Sequence, residues 1–203
     1  AASTEVWESF QGSGFPVLFH GVAMLVGVLV VRRGVGSIER LNRVLVPALL
    51  AVVIISMVRT LLLEGSSAGI AYLFTPDWSQ LGDANVWLEA LTQNAWDTGA
   101  GWGLILCYAA YMSAGHSVVK NALLTAITNN VVSLVAAITI FGTVFAVLGA
   151  EMSRAEILGV MKDSGPASTG LTFIWMPQLF ARMALGTPLA ILFFLGLSFA
   201  ALS

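Results

Sequence analysis

Charge is scarce in this chain. Lys, Arg, Asp and Glu make up 10% of its 203 residues, against roughly 25% in a soluble globular domain. Water is therefore not its main solvent. Basic clusters are missing as well. Beyond Arg32-Arg33 no Lys/Arg cluster occurs, and the net charge is -2. That excludes a nucleic-acid-binding surface and a polybasic membrane-surface domain. One cysteine, Cys107, rules out a disulfide within the chain and sits in an apolar run, where it reads as inert packing. Two histidines, His20 and His116, without Cys or His at ligand spacing, leave no zinc-site pattern. The opening AASTEVWESF lacks an initiator Met, a basic n-region and an apolar h-region, so it is no signal peptide. The last residues stop inside an apolar run, and the expectation is a piece of a longer protein.

What the chain does have is apolar length. Hydrophobic residues make up 58% of it, and a bilayer core takes about 20 largely apolar residues per helical span. Five segments qualify or come close: residues 15–31, 44–63, 86–112, 122–148 and 188–203. The second contains Pro47 and Arg59, and the third is interrupted by Asp97 and the glycines after it. The expected fold class is an all-α polytopic membrane protein, a single transmembrane fragment over residues 1–203. The connection Arg32 to Arg43 carries four arginines against one Glu, which places it in the cytoplasm. Counting spans from there, 64–85 lies outside, 113–121 inside and 149–187 outside. The outer loops hold Glu64, Asp77, Asp83, Glu151, Glu156 and Asp163 against Arg154, Lys162 and Arg182, in keeping with that topology. An integral, multi-pass protein of the plasma (inner) membrane is expected.

The long outer loop 149–187 carries its own structure signals. Ser153-Arg154-Ala155-Glu156 fits a capping box opening a short helix to Met161. Leu171–Leu185 (LTFIWMPQLFARMAL) reads as a second short amphipathic helix containing a proline. Two helices in an outer loop suggest a lid.

Chemistry concentrates in Gln93-Asn94-Ala95-Trp96-Asp97-Thr98-Gly99-Ala100-Gly101-Trp102-Gly103. A carboxylate near mid-span costs at least about 2.5 kcal/mol, and the glycines weaken the helix at the same place. Backbone freed there must be buried in protein or line a cavity, since lipid cannot satisfy it. Half-helix ends offer N–H groups to an anion and carbonyls to a cation. The competing reading is a kinked helix with Asp97 hydrogen-bonded to a neighbour. Asp97-Thr98-Gly99 also spells the aspartic-protease tripeptide, but that chemistry needs two carboxylates sharing a proton, and the other acids lie in loops or at span ends. On the fourth span, Asn129 and Ser133 stand four residues apart on one helix face. Their oxygens suit a hard cation such as sodium, and equally suit interhelical hydrogen bonding. Arg59, near the outer end of its span, reads as a snorkelling side chain. Tyr72, Phe74, Trp78 and Trp87 read as interfacial anchors.

Together these segments resemble the neurotransmitter:sodium symporter family, in particular its bacterial amino-acid transporters. RGVGSIERLNRVLVPALL is similar to the stretch between the family's spans four and five, and FTPDWSQLGDANVWLEALTQ to the segment leading into span six. QNAWDTGAGWG resembles the unwound middle of span six, ITNNVVSLVAAITIFGTVF the start of span seven, and TFIWMPQLF the second helix of extracellular loop four. The resemblance implies that the chain covers about spans four to eight of a leucine-transporter-like fold. That fold is built from two inverted five-helix repeats with substrate and ions at the midplane, beside discontinuous helices such as a broken span six.

Carried over by position, the resemblance implies sodium ligands at Asn129 and Asp97 for one site, and at Ala200 and Ser203 for a second. It places Trp96 as an aromatic lid over the substrate, with Gly99, Gly101 and Trp102 forming the unwound stretch and side-chain pocket. Tyr111 matches an inner-gate tyrosine. Gln93, Ser133 and Asp97 fall at the chloride-site or chloride-substituting positions. Asp97 departs from the hydroxyl that chloride-dependent members carry. The implied function is sodium-coupled symport of an amino acid or related amine, chloride-independent, with a bulky apolar or aromatic amino acid as the expected substrate. Sodium ions and the lipid bilayer are the other expected partners. No organic cofactor, nucleic acid or enzymatic activity is expected. A transporter-like receptor or structural partner is the alternative, ahead of an intramembrane enzyme.

Overall fold

A computed structural model of the chain describes residues 2–32, 35–99, 101–162, 171–182 and 185–202. Those residues are almost wholly helical, with no strand among them: α1 Ala2–Gln11, α2 Phe15–Val31, α3 Val35–Leu61, α4 Ser66–Leu73, α5 Ala84–Thr98, α6 Leu104–Ala110, α7 Val118–Leu148, α8 Arg154–Lys162, α9 Met176–Ala181 and α10 Gly186–Leu202. The stretch Asn42–Leu61 of α3 and the whole of α7 are long and apolar enough to cross a membrane. Residues Glu5–Gln11 of α1 and Phe15–Leu29 of α2 pass the same test only as a pair bent by 75°.

Two compact units are formed. One takes in the chain up to Ala71 and from Ala136 onward; the other is Tyr72–Val135. The first is organised around α3, on which α10 packs most extensively. Val52 of α3, Met176, Leu179 and Phe180 of α9, and Phe193 of α10 form its buried apolar cluster. Small residues set the spacing elsewhere. A Cβ on Gly69 of α4 would collide with the backbone carbonyl of Phe141, and one on Gly142 would meet the methyl of Thr60. Where the surroundings are as apolar as the side chains, such close packing and interhelical hydrogen bonds replace the hydrophobic effect. The Thr60 and Thr143 hydroxyls accordingly pair at 3.1 Å, both fully buried.

Several elements were not marked by hydrophobic runs. Helix α1 ends where the Ser13 hydroxyl donates to the Phe10 carbonyl (2.7 Å) and accepts the Phe15 N–H (3.2 Å), so one side chain closes α1 and opens α2. Helix α3 starts at Val35, inside the expected inner connection, and carries the Glu39–Arg43 ion pair at 2.8 Å. That exposed i,i+4 pair contributes a few tenths of a kcal/mol, about 0.3–0.5. The connection 64–85 holds α4 and a 3-10 turn, Trp78–Gly82, capped by the Asp77 carboxylate. The Ser79 hydroxyl and N–H and the Gln80 amide donate to it, which holds the Asp77 carboxyl below its usual range.

The capping box forms as read. Ser153 N–H and Oγ donate to Glu156 Oε2 at 2.8 and 2.7 Å, and the Glu156 N–H reaches back to Ser153 Oγ at 3.5 Å. The Ser153 hydroxyl, then its N–H, lowers the Glu156 pKa, so the cap is intact while Glu156 is ionised and loosens as pH falls through that lowered value. The second helix expected in 149–187 differs from expectation. Leu171–Trp175 is a π-helical turn, and the α-helix is confined to Met176–Ala181. Pro177 is the cause: it lacks an N–H, and its ring crowds the carbonyl four residues back, that of Phe173. A wider turn relieves that clash.

Candidate functional site

The site belongs to the unit Tyr72–Val135 and begins with a helix built to stop. Asp83 caps the start of α5, its carboxylate accepting the Asn85 N–H at 2.9 Å. Fifteen residues later α5 ends at Gly99, which has φ 65° and donates its N–H to the Ala95 and Trp96 carbonyls. Gly101 and Gly103 also have positive φ, 82° and 77°. A Cβ is unfavourable in that left-handed region, so the residues that weaken the helix on paper also permit the path it takes. Helix α6 resumes at Leu104. The broken span-six helix is thus present.

Around this break lies a cavity of about 800 Å³. Trp96 and Gly99 line it from the end of α5, and Trp102 from the break. Ile105, Tyr108, Ala109 and Met112 line it from α6 and just beyond, and Asn121, Thr125 and Asn129 from α7. Trp96 and Trp102 meet edge to face, with centroids 4.6 Å apart and planes at 86°, a favoured geometry for two aromatic rings. Gly99 is buried between them in sequence and leaves its share of the wall without a side chain.

Asn129 supplies the most informative polar atom. Its Nδ2 position is buried and has no hydrogen-bond partner among the described residues. A buried amide group without a partner costs free energy comparable to a lost hydrogen bond. A half-turn of the amide puts Oδ1 in the same place, so this position offers either a donor or an oxygen ligand. By contrast, Thr125 Oγ1 donates to the Asn121 carbonyl (2.8 Å) and Asn121 Nδ2 to the Ser117 carbonyl (2.9 Å), which leaves both satisfied locally.

Of the residues singled out from sequence, Trp96, Gly99, Trp102 and Asn129 therefore meet at one cavity. Gly101 lies in the break without lining it, and Tyr111 stands beside Met112 as an exposed residue. Gln93 and Ser133 are exposed on α5 and α7, outside the cavity lining. Asp97 lies in the last turn of α5 and Ala200 in α10, though their side chains are outside the described structure, as is all of Ser203. Sequence reasoning missed Tyr108, Met112, His116, Asn121 and Thr125. Asn121, Thr125 and Asn129 recur every four residues on one helix face. Reading that stripe backward from Asn129, rather than forward to Ser133, would have found two of them. His116 Nδ1 lies 2.8 Å from Ser113 Oγ at the loop end of the cavity. Among the described residues no group of three or more His, Cys, Asp or Glu side chains could hold a metal ion. A site for a hard monovalent cation would instead draw on amide, hydroxyl and carbonyl oxygen.

Comparisons with known proteins converge on one family. The model of the Sodium:neurotransmitter symporter family matches residues 16–203. An uncharacterized sodium-dependent transporter of Methanocaldococcus jannaschii is 30% identical over 200 residues, covering 97% of this chain and 39% of that protein. A sodium- and chloride-dependent GABA transporter of Drosophila melanogaster is 32% identical over 142 residues, covering 70% of this chain and 14% of that protein. The crystal structure of MhsT in complex with L-phenylalanine matches with a TM-score of 0.83 and 32% identity, over 98% of this chain and 43% of that one. The chain thus spans about two fifths of the archaeal relative's length.

Proposed function

The chain belongs to the Sodium:neurotransmitter symporter family, and from that premise we propose that it is the central part of a sodium-coupled amino-acid symporter whose coupling ion is bound by Asn129. The family is one of membrane transporters rather than enzymes, and its fold class here is all-α with a broken helix. The observation that carries the reading is the buried, unpartnered Nδ2 position of Asn129, a residue that lines a cavity beside a helix break. A cavity lined by indoles, small residues and a few polar groups is the usual form of a small-molecule site. Asp97, in the turn before the break, supplies the fixed carboxylate, and Ala200 and Ser203 belong to a second sodium site. Residues 15–31, 44–63, 86–112, 122–148 and 188–203 are the membrane spans, with the connection 32–43 in the cytoplasm of a cell whose plasma membrane holds the protein.

The substrate proposed is a bulky apolar or aromatic amino acid. Trp96 and Trp102 line the cavity with indoles, while Gly99 takes up no side-chain volume. MhsT, crystallised with L-phenylalanine, has the same fold. Uptake by the full-length protein, competed with a panel of unlabelled amino acids, tests this. Phenylalanine, tryptophan or leucine should compete at the lowest concentrations. A strict preference for glycine or alanine would overturn the assignment.

A further inference from the structure

Arg32, Arg33, Arg40 and Arg43 fall between the apolar runs of α2 and α3, and Glu39 is the one acid among them. Glu39 is already taken, since its carboxylate accepts from Arg43 at 2.8 Å. Arg32 and Arg40 are both exposed, and among the described residues neither has a carboxylate within ion-pair distance. Arg33 lies outside the described residues.

Depth decides what such guanidinium groups meet. Helix α2 carries no Asp, Glu, Lys or Arg over its 17 residues, and Arg32 follows its last residue, Val31. The stretch of α3 that is long and apolar enough to cross a membrane begins at Asn42, so residues 35–41 are a helical extension beyond it. A helix rises 1.5 Å per residue, which puts the Arg40 backbone roughly 3 Å beyond the apolar stretch. The headgroup layer is roughly 5–7 Å thick on each face of a bilayer. Arg40 therefore falls at headgroup depth, and Arg32 stands where the uncharged run of α2 stops. Helix α2 packs on α3 within one unit, and both arginines stand at the helix ends that the 32–43 connection joins.

A guanidinium has five donors and stays charged, and its planar fork matches two oxygens of a phosphate. Water satisfies those donors at an ordinary surface. At headgroup depth the phosphate of an anionic lipid satisfies them and also supplies the negative charge that no side chain provides.

We propose that Arg32 and Arg40 form a binding surface for the phosphate headgroups of anionic phospholipids, while Arg43, neutralised by Glu39, contributes little. This is not a polybasic segment drawn to the general field of a membrane. Each arginine holds a headgroup phosphate by its fork. The proposal depends on the membrane spans and not on sodium coupling, so a failure of transport leaves its test intact.

The test is a lipid titration of the full-length protein in non-ionic detergent, with bound lipid counted by native mass spectrometry. Phosphatidylglycerol is the anionic probe and phosphatidylcholine the zwitterionic one. One basic side chain beside an anionic surface is worth about fivefold in binding. Arg32→Gln and Arg40→Gln should each weaken phosphatidylglycerol binding by that factor, and the double variant by about 25-fold. Phosphatidylcholine binding should not change, and Arg154→Gln, at the start of α8, should alter neither. For the wild type, raising salt from about 50 to about 500 mM should weaken phosphatidylglycerol binding alone. Inorganic phosphate at the lipid's concentration should leave the lipid bound, since it has no acyl chains to lie against α2 and α3. Equal affinity of the wild type for the two lipids would overturn the proposal. So would an unchanged double variant, or displacement of the lipid by an equal concentration of phosphate.

Discussion

Replacing Asn129 with leucine should raise the sodium concentration for half-maximal uptake about 10- to 100-fold. The estimate follows from what the side chain can supply. A hydrogen-bond-strength contact to a charged partner is worth about 1.5–3 kcal/mol, and each 1.4 kcal/mol is a factor of ten in binding. Leucine is of similar size but has no oxygen, and it turns the buried polar position into an apolar one. Asn129→Asp, which keeps an oxygen and adds charge, should hold sodium affinity near wild type. The pair of variants separates ligation from packing, since both alter the same buried spot on α7. Uptake titrated with sodium, at matched levels of protein in the membrane, reads the effect. A Leu variant with wild-type sodium dependence would show that Asn129 is not a ligand.

The second large effect concerns chloride. Sodium ions brought into a low-dielectric site need a compensating negative charge, because an unpaired buried charge is heavily penalised. Relatives of this chain include a transporter described as sodium- and chloride-dependent. Ser133 on α7 resembles the members that use chloride, and alone it would imply chloride dependence here. Asp97, in the last turn of α5 before the break, changes that expectation. A chloride held about 4 Å from a carboxylate would be repelled by about 4 kcal/mol at an effective dielectric of about 20. Wild-type uptake should therefore survive exchange of chloride for gluconate. Asp97→Ser should be nearly inactive in gluconate and recover in chloride. Wild-type activity that collapses without chloride would refute the role given to Asp97.

Features that depend on local chemistry were readable from the sequence. Gly99, Gly101 and Gly103 mark a helix break because no other residue takes positive φ so cheaply, and the break is there. Ser153 and Glu156 mark a helix start because each satisfies the other's backbone. The all-α class followed from long apolar runs with few charges. Features that depend on partners distant in the chain were not readable. Helix α1 contains too few apolar residues to stand out, and it is oriented by Trp7 stacking on Phe173, more than 150 residues away in the numbering. The π turn at Leu171–Trp175 is local, and it was missed although Pro177 stood in the sequence. The cavity was half legible. Trp96, Gly99 and Trp102 were placed by the resemblance to a known family, and Asn129 by that resemblance and by its oxygen on an apolar span. Thr125 and Asn121 were missed because a hydroxyl or amide near a helix start is ordinary until the facing element is known. Tyr108 and Met112 were hidden in the apolar stretch of α6 and the residues just after it.

On the function proposed, a sodium gradient drives the full-length protein's substrate across the membrane through the site around Asn129. The direct measurement is accumulation of labelled amino acid by proteoliposomes containing the full-length protein, with sodium outside and potassium inside. A tenfold sodium gradient supplies about 1.4 kcal/mol per ion, and an inside-negative potential adds about 2.3 kcal/mol per charge per 100 mV. Substrate should therefore concentrate inside at least about tenfold for one coupled ion, and the accumulation should collapse when an ionophore dissipates the gradient. Uptake that proceeds equally with potassium or choline in place of external sodium, or that only equilibrates, would contradict the account.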